Sequence, residues 1–231
     1  MRAPPIPFPA LARQAARRYR PAGRFVEGFV QGKLRHDPVY AHLLAHWEEW
    51  LPQAGLVLDL GCGRGILLAL LAAARRLGEE RLAGIRLKGI DRRQRDVAAA
   101  RLALGEEAEI SLADLRTTPI PACHAALLVD VLLYLAPTEQ DLLLARAAKA
   151  LPRNGGVLIV READAAAGWR FPATVLAERL CAWARGQFRH RYHYRSAAAW
   201  RARLEALGFT VECLPMSAGT PFANVLFLAR R

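Results

Sequence analysis

The chain has 231 residues, 53% of them apolar, and a formal charge of +12. That length accommodates one large domain or a domain with a small appendage, and the apolar content excludes a chain disordered throughout. No apolar run reaches the roughly 18 residues of a membrane-spanning helix, and the longest candidate, residues 125–136, is interrupted by Asp130.

Residues 1–9 are proline-rich and read as extended. Arg2 is followed by Pro4, Pro5, Pro7 and Pro9 rather than by an apolar segment, so no secretory leader is expected. From Ala10 the pattern is helical, with Leu11, Ala15 and Ala16 on one side and Arg13, Arg17, Arg18 and Arg20 bearing charge. Such a helix packs on the domain or lies on a membrane surface. Two further helices are expected over 25–34 and 39–51. Phe25, Val26, Phe29 and Val30 recur at helical spacing in the first, and Val39, Leu43, Leu44, Trp47 and Leu51 in the second. Asp37 and Pro38 suit the cap and first position of the latter. Strands follow at 56–60, 84–90, 108–112, 125–129 and 156–160, with helices over 66–74, 93–104 and 138–151 between them. This alternation argues for a doubly wound α/β fold with a parallel sheet. Residues 161–195 interrupt it with a helix over 171–184 and a basic, aromatic stretch from Arg185 to Arg195. Ser196 then caps a helix that ends at Leu207 and Gly208, and strands at 211–214 and 225–228 close the chain.

The organising stretch is Val57-Leu58-Asp59-Leu60-Gly61-Cys62-Gly63-Arg64-Gly65. A buried strand runs into a glycine turn and then a helix, which lets backbone approach a ligand closely. The pattern Asp-x-Gly-x-Gly-x-Gly resembles the first motif of class I S-adenosylmethionine-dependent methyltransferases. It differs in spacing from the dinucleotide fingerprint. The resemblance implies a Rossmann-like, seven-stranded sheet with an antiparallel edge hairpin. It also implies covering helices over residues 1–52, a methyltransferase domain over 53–231, and an insert or lid at about 161–195.

Ligands of doubly wound folds bind beyond the carboxyl ends of the strands. That rule alone selects Asp59 with its glycines, Asp91, Asp114 and Asp130. An ionised Asp91 can accept from both ribose hydroxyls. Arg92 and Arg93 beside it would also suit the 2′-phosphate of NADP, although Asp91 itself would repel that group. The resemblance places S-adenosylmethionine against Asp59, Gly61, Cys62, Gly63, Gly65, Asp91, Arg92, Asp114, Leu115 and Asp130. Asp114 would meet the adenine amino group and Asp130 the methionine part. The Cys62 side chain reads as packing. It and the widely spaced Cys123, Cys181 and Cys213 lack zinc or redox spacing, which suits reduced thiols in a cytoplasmic protein.

The sulfonium donor is already activated, so alignment of two bound reactants, worth up to about 7–11 kcal/mol, can carry most of the catalysis without a metal. Tyr134, Tyr192 and His193 are the expected acceptor-side residues. His193, Tyr192, Tyr194, Glu162 and His124 are candidate bases, none with spacing that establishes proximity. The absence of Asn/Asp-Pro-Pro-Tyr after the fourth strand disfavours methylation of nucleobase amino groups.

Two stretches, Gly23-Arg24-Phe25 through Gly32-Lys33-Leu34-Arg35-His36-Asp37-Pro38-Val39-Tyr40 and Leu214 through Asn224, are similar to methyltransferases of bacterial aryl polyene or xanthomonadin-type pigment clusters. This narrower resemblance implies a small aryl or polyene acceptor held on an acidic acyl carrier protein, which the positive charge would steer. Two other readings stay open: an RNA methyltransferase, favoured by the charge, and a non-catalytic cofactor-binding subunit.

Overall fold

Alternate residues of the first strand enter two different cores. In β1 (Gly55–Leu60) Val57 joins one apolar cluster, whereas Leu56, Leu58 and Leu60 join another. Side chains of a strand point to opposite faces in turn, so a strand apolar at nearly every position belongs to a sheet covered on both sides. The computed structural model, which describes residues 7–184 and 191–231, has this arrangement.

The sheet has seven strands in the order β3-β2-β1-β4-β5-β7-β6. Here β2 is Ile85–Asp91, β3 Glu109–Leu112, β4 Ala125–Val129, β5 Val157–Ala163, β6 Thr210–Pro215 and β7 Asn224–Arg230. The first five are parallel, and β7 runs antiparallel between β5 and β6. Helices α1 (Phe8–Arg17), α2 (Arg24–His36), α3 (Pro38–Ala45), α4 (Ile66–Arg76) and α5 (Gln94–Leu104) contribute to the core on one face. Helices α6 (Pro137–Ala150) and α8 (Ala197–Ala206) cover the other. Between β5 and α8 lies α7 (Arg170–Ala184). No helix among the described residues is long and apolar enough to cross a membrane.

The expected doubly wound order and edge hairpin are present, and one buried face and two boundaries differ. Phe25 is 80% exposed, and α2 buries Val30 and Leu34 instead. Phe25 lies roughly 140° from Val30 around a helix of about 3.6 residues per turn, too far to share its buried side. The helix expected over 39–51 stops at Ala45; a 3-10 turn follows, and the buried Trp50 folds back to donate from its indole nitrogen to the Leu43 carbonyl at 2.8 Å. Strand β5 runs to Ala163 rather than Val160, so the insert begins at Asp164 and Arg161 and Glu162 are buried strand residues. Charged residues in a sequence signal the end of a buried strand, unless they have partners inside the protein.

Candidate cofactor and acceptor site

The glycine turn sits at the carboxyl end of β1. Gly61, Gly63 and Gly65 have φ of +81°, +53° and +69°, a region that residues with a Cβ rarely adopt. Two of these glycines answer different demands. A Cβ at Gly61 would stand 2.5 Å from a Val131 methyl, so this glycine permits packing of the turn against the chain leaving β4. A Cβ at Gly63 would meet nothing within 4 Å, so the turn faces open space there. The Cys62 side chain is buried against Gly89, and burial pushes its thiol well up. It is a packing residue, as expected.

Asp91 ends β2 and fastens the turn from below. One carboxylate oxygen accepts from the Gly63 N–H at 2.8 Å and the other from the Arg93 N–H at 2.7 Å. Each oxygen keeps acceptor capacity beyond that bond. Asp59 is 6% exposed, and burial, followed by the charge of Asp91, pushes its carboxyl up to about 7. Asp114 is drawn by hydrogen bonds from Arg116 down to about 2, with Arg116 Nε 3.0 Å from both carboxylate oxygens. Arg92 is exposed beside this group, while the Leu115 side chain is buried in the second core and its carbonyl accepts from Arg146 at 2.7 Å.

The acceptor side is built differently. Asp130 has φ +57°, the only positive value of a non-glycine among the described residues. Its Oδ2 is 3.1 Å from Arg161 Nη1 and 3.7 Å from Lys33 Nζ. Asp37 Oδ2 completes the group, 2.8 Å from Arg161 and 3.0 Å from Lys33. Burial alone would raise the Asp37 carboxyl, but Arg161 and Lys33 outweigh it and hold the carboxyl below its usual range. Two cations and two anions thus neutralise one another under α2. Asp37 also caps α3, accepting from the Val39 N–H at 3.2 Å. Much of the unusual Gly32–Tyr40 stretch is therefore scaffolding: it delivers Lys33 and Asp37 to residues more than ninety positions away.

Glu162 lies beneath the chain leaving β4. It accepts from the Leu132 N–H at 2.6 Å and the Val131 N–H at 3.1 Å, and burial pushes its carboxyl well up. It supports a loop and is not a base facing an acceptor. His124 is also removed from that role: it precedes β4, at the amino ends of the strands, where its Nδ1 accepts from the Leu56 N–H at 3.4 Å. A surface hollow of about 450 Å³ at the same end, lined by Arg75, Arg86, Glu107 and Glu109, includes none of the turn residues.

Tyr134 and Tyr192, expected at the acceptor site, do meet: their rings are 5.7 Å apart, edge to face. Tyr194 is 6.1 Å from Tyr192 and 5.1 Å from Phe171 of α7, again edge to face. Such edge-on pairs are the favoured geometry of aromatic rings. The segment is tied down by its backbone. The His193 N–H donates to the Leu133 carbonyl, and Gln140 Nε2 donates to the His193 carbonyl, each at 2.9 Å. Burial pushes the Tyr134 hydroxyl up to about 12 and the Tyr194 hydroxyl higher still, so both stay protonated. Arg195 is engaged by Gln140, Asp141 and the Pro137 carbonyl and is not available to a phosphate. Arg185, Phe188, Arg189 and His190 lie outside the described residues.

Spacing marked Asp37 only as a helix cap and Arg93 only as a neighbour of Asp91, and gave no indication of Lys33, Arg161 or Phe171 or that the Arg93 guanidinium lies 5.5 Å over the Tyr134 ring. The one available signal was an Arg-Glu pair continuing the apolar run 157–160.

No curated protein matches this sequence. Solved structures match it in fold. Magnesium protoporphyrin IX methyltransferase from Synechocystis PCC 6803, solved with S-adenosylhomocysteine, is 23% identical at a TM-score of 0.60, with 93% of each chain covered. Human N-acetylserotonin methyltransferase, solved with S-adenosylmethionine, is 20% identical at a TM-score of 0.60, covering 98% of this chain and 60% of that one. The [4+2]-cyclase SpnF is 20% identical at a TM-score of 0.58, covering 83% and 80%. The chain spans about three-fifths of the length of several of the structures it matches. A family profile described as a methyltransferase domain matches residues 30–214, so the chain belongs to the methyltransferase-domain family.

Proposed function

We propose that the chain transfers the methyl group of S-adenosylmethionine to a small aryl or polyene acceptor seated against Tyr134, Tyr192 and Tyr194, with an acidic acyl carrier protein as its presenting partner. The observation that carries this reading is a juxtaposition at the carboxyl ends of the strands. Asp91 holds both the Gly63 turn, over which there is open space, and the Arg93 N–H, and the Arg93 guanidinium lies 5.5 Å over the Tyr134 ring of the aromatic wall.

The residues present fit the cofactor. The remaining acceptor capacity of Asp91 suits the ribose hydroxyls, and Asp114 and the Leu115 backbone suit the adenine edge. The buried carboxyl of Asp59, whose high pKa no donor among the described residues offsets, suits the methionine ammonium together with Asp130. When bound, the cofactor supplies a methyl group already activated by its sulfonium. This chain's residues then orient the acceptor and exclude water. Tyr134 and Tyr194 remain protonated and serve as wall residues, not as bases. Alignment provides most of the rate, since a base adds only about 10²–10⁴-fold.

The test uses S-adenosylmethionine labelled in its methyl group, incubated with purified protein and fractionated host extract, with Asp91→Ala as control. Label in a lipophilic small molecule or on a carrier protein is expected. Label in RNA, or cofactor binding without any enzyme-dependent label, would overturn the acceptor assignment. Failure to bind the cofactor at all would overturn the whole reading.

A further inference from the structure

Helix α7 has two faces with different tasks. Its inner side belongs to the acceptor wall: Phe171 meets Tyr194, the Glu178 carbonyl accepts from the Tyr192 hydroxyl at 3.3 Å, and Thr174 Oγ1 accepts from the Ala223 N–H at 2.8 Å. Its outer side is apolar and bare. Leu176, Leu180 and Trp183 follow at spacings of four and three residues, which aligns them on one side of the helix, and Trp169 stands in the turn just before it, seven residues ahead of Leu176. They are between 57% and 69% exposed. The strip is about 21 Å long at about 1.5 Å per residue.

We propose that this outer face of α7 docks the protein on an anionic lipid membrane, lying in the interface without crossing it. Three observations favour lipid. The strip ends in an indole at each extremity, the side chain best suited to a boundary between apolar and polar surroundings. Arg179 flanks it on one side, exposed, and Arg170 on the other, its guanidinium 5.0 Å over the Trp169 ring while Nη1 donates to the Thr220 carbonyl at 2.8 Å. The chain as a whole carries +12, so long-range attraction to an anionic surface acts in the same direction. An acidic protein partner would satisfy the arginines but leave two indoles and two leucines against a polar surface. Apolar burial and attraction of flanking cations are together the two contributions that hold an interfacial helix. Docking in this way places the acceptor wall at the lipid surface; that consequence rests on the methyl-transfer reading, and the docking itself does not.

The full-length protein would be sedimented with vesicles of phosphatidylcholine alone and of phosphatidylcholine mixed with phosphatidylglycerol. Binding to the mixed vesicles, weakened by salt and by Leu176→Gln/Leu180→Gln about tenfold or more, is expected. Arg179→Glu, an exposed single change, should weaken it less and guards against loss of folding in the double variant. Tryptophan fluorescence should be quenched by brominated lipid. No sedimentation with mixed vesicles, or equal sedimentation of all variants, would overturn the proposal. So would a dimer in ultracentrifugation that the double variant converts to monomer, which would assign the face to a second copy. Cofactor binding, measured on the same samples, reports separately on the methyl-transfer reading.

Discussion

The cofactor side and the acceptor side of the cleft are held together by different means. At the ends of β1, β2 and β3 several contacts are short in sequence, Asp91 to the Arg93 N–H, Asp114 to Arg116 and glycine after glycine in one turn, and the tie from Asp91 to the Gly63 N–H spans 28 positions. At the ends of β4 and β5 they are long: Arg161 to Asp37 spans 124 positions, and Glu162 to Leu132 spans 30. A ligand that many proteins share can be met by a compact cassette of backbone and carboxylates. The proposed acceptor wall draws on the loop after β4 and the insert, with Lys33 of α2 tied to Asp130, and such distant segments need long-range ties to stay in register.

The largest test of this contrast is Arg161→Met. It leaves Asp37 and Asp130 with Lys33 alone, and removing one partner of a buried ionic group costs about 3–5 kcal/mol. Urea unfolding should show that loss. A change below about 1 kcal/mol would mean the acceptor side is held by packing and not by charge.

The cofactor side has its own buried charge, with the opposite pH signature. Asp59 titrates in the fold at about 7, against about 3.9 unfolded. Below about pH 4 both states are protonated and Asp59 costs nothing. Between about 4 and 7 the unfolded chain releases a proton that the fold keeps, so stability falls as pH rises, by at most about 4 kcal/mol, and the loss is complete above 7. Asp59→Asn should abolish that slope in unfolding measurements between pH 4 and 8. A slope that persists in the variant would assign it to another group.

Gly61 and Gly63 separate packing from ligand space. Gly61→Ala puts a methyl 2.5 Å from Val131 at φ +81° and should cost about 2–4 kcal/mol of stability. Gly63→Ala meets open space, so it should cost only the left-handed backbone penalty of about 1 kcal/mol while weakening S-adenosylmethionine binding about tenfold, read by calorimetry. Equal effects on both quantities at both sites would remove the distinction.

The same contrast explains what was legible in the sequence. Alternating strands and helices, the glycine turn and Asp91 follow from local pattern, because backbone geometry and apolar periodicity are local properties. Tyr134 and Tyr192 were each expected on the acceptor side from residue type alone, and no spacing rule places residue 192 beside 134. Arg161 and Glu162 read as the start of the insert because a charge in an apolar run signals the end of a buried strand unless its partner is known, and their partners lie just after α2 and after β4. Glu162 and His124, both plausible bases by residue type, proved to be a loop support and a residue of the far end of the sheet.

Asp114 offers the mildest test of the cassette. Its carboxyl is held at about 2 by Arg116, below the unfolded value near 3.9. A depressed acid stabilises the fold above its unfolded pKa and loses that contribution as pH falls through its folded value, so the window runs from about pH 4 down to about 2. The pair is partly exposed and screened, which limits its worth to about 1 kcal/mol at most. Arg116→Ala should therefore leave stability at pH 7 nearly unchanged, while freeing Asp114 to accept from the adenine amino group. S-adenosylmethionine affinity should hold or rise in Arg116→Ala and fall severalfold in Asp114→Asn. A fall in both variants would instead show that Arg116, by fixing the rotamer of Asp114, is part of how adenine is recognised.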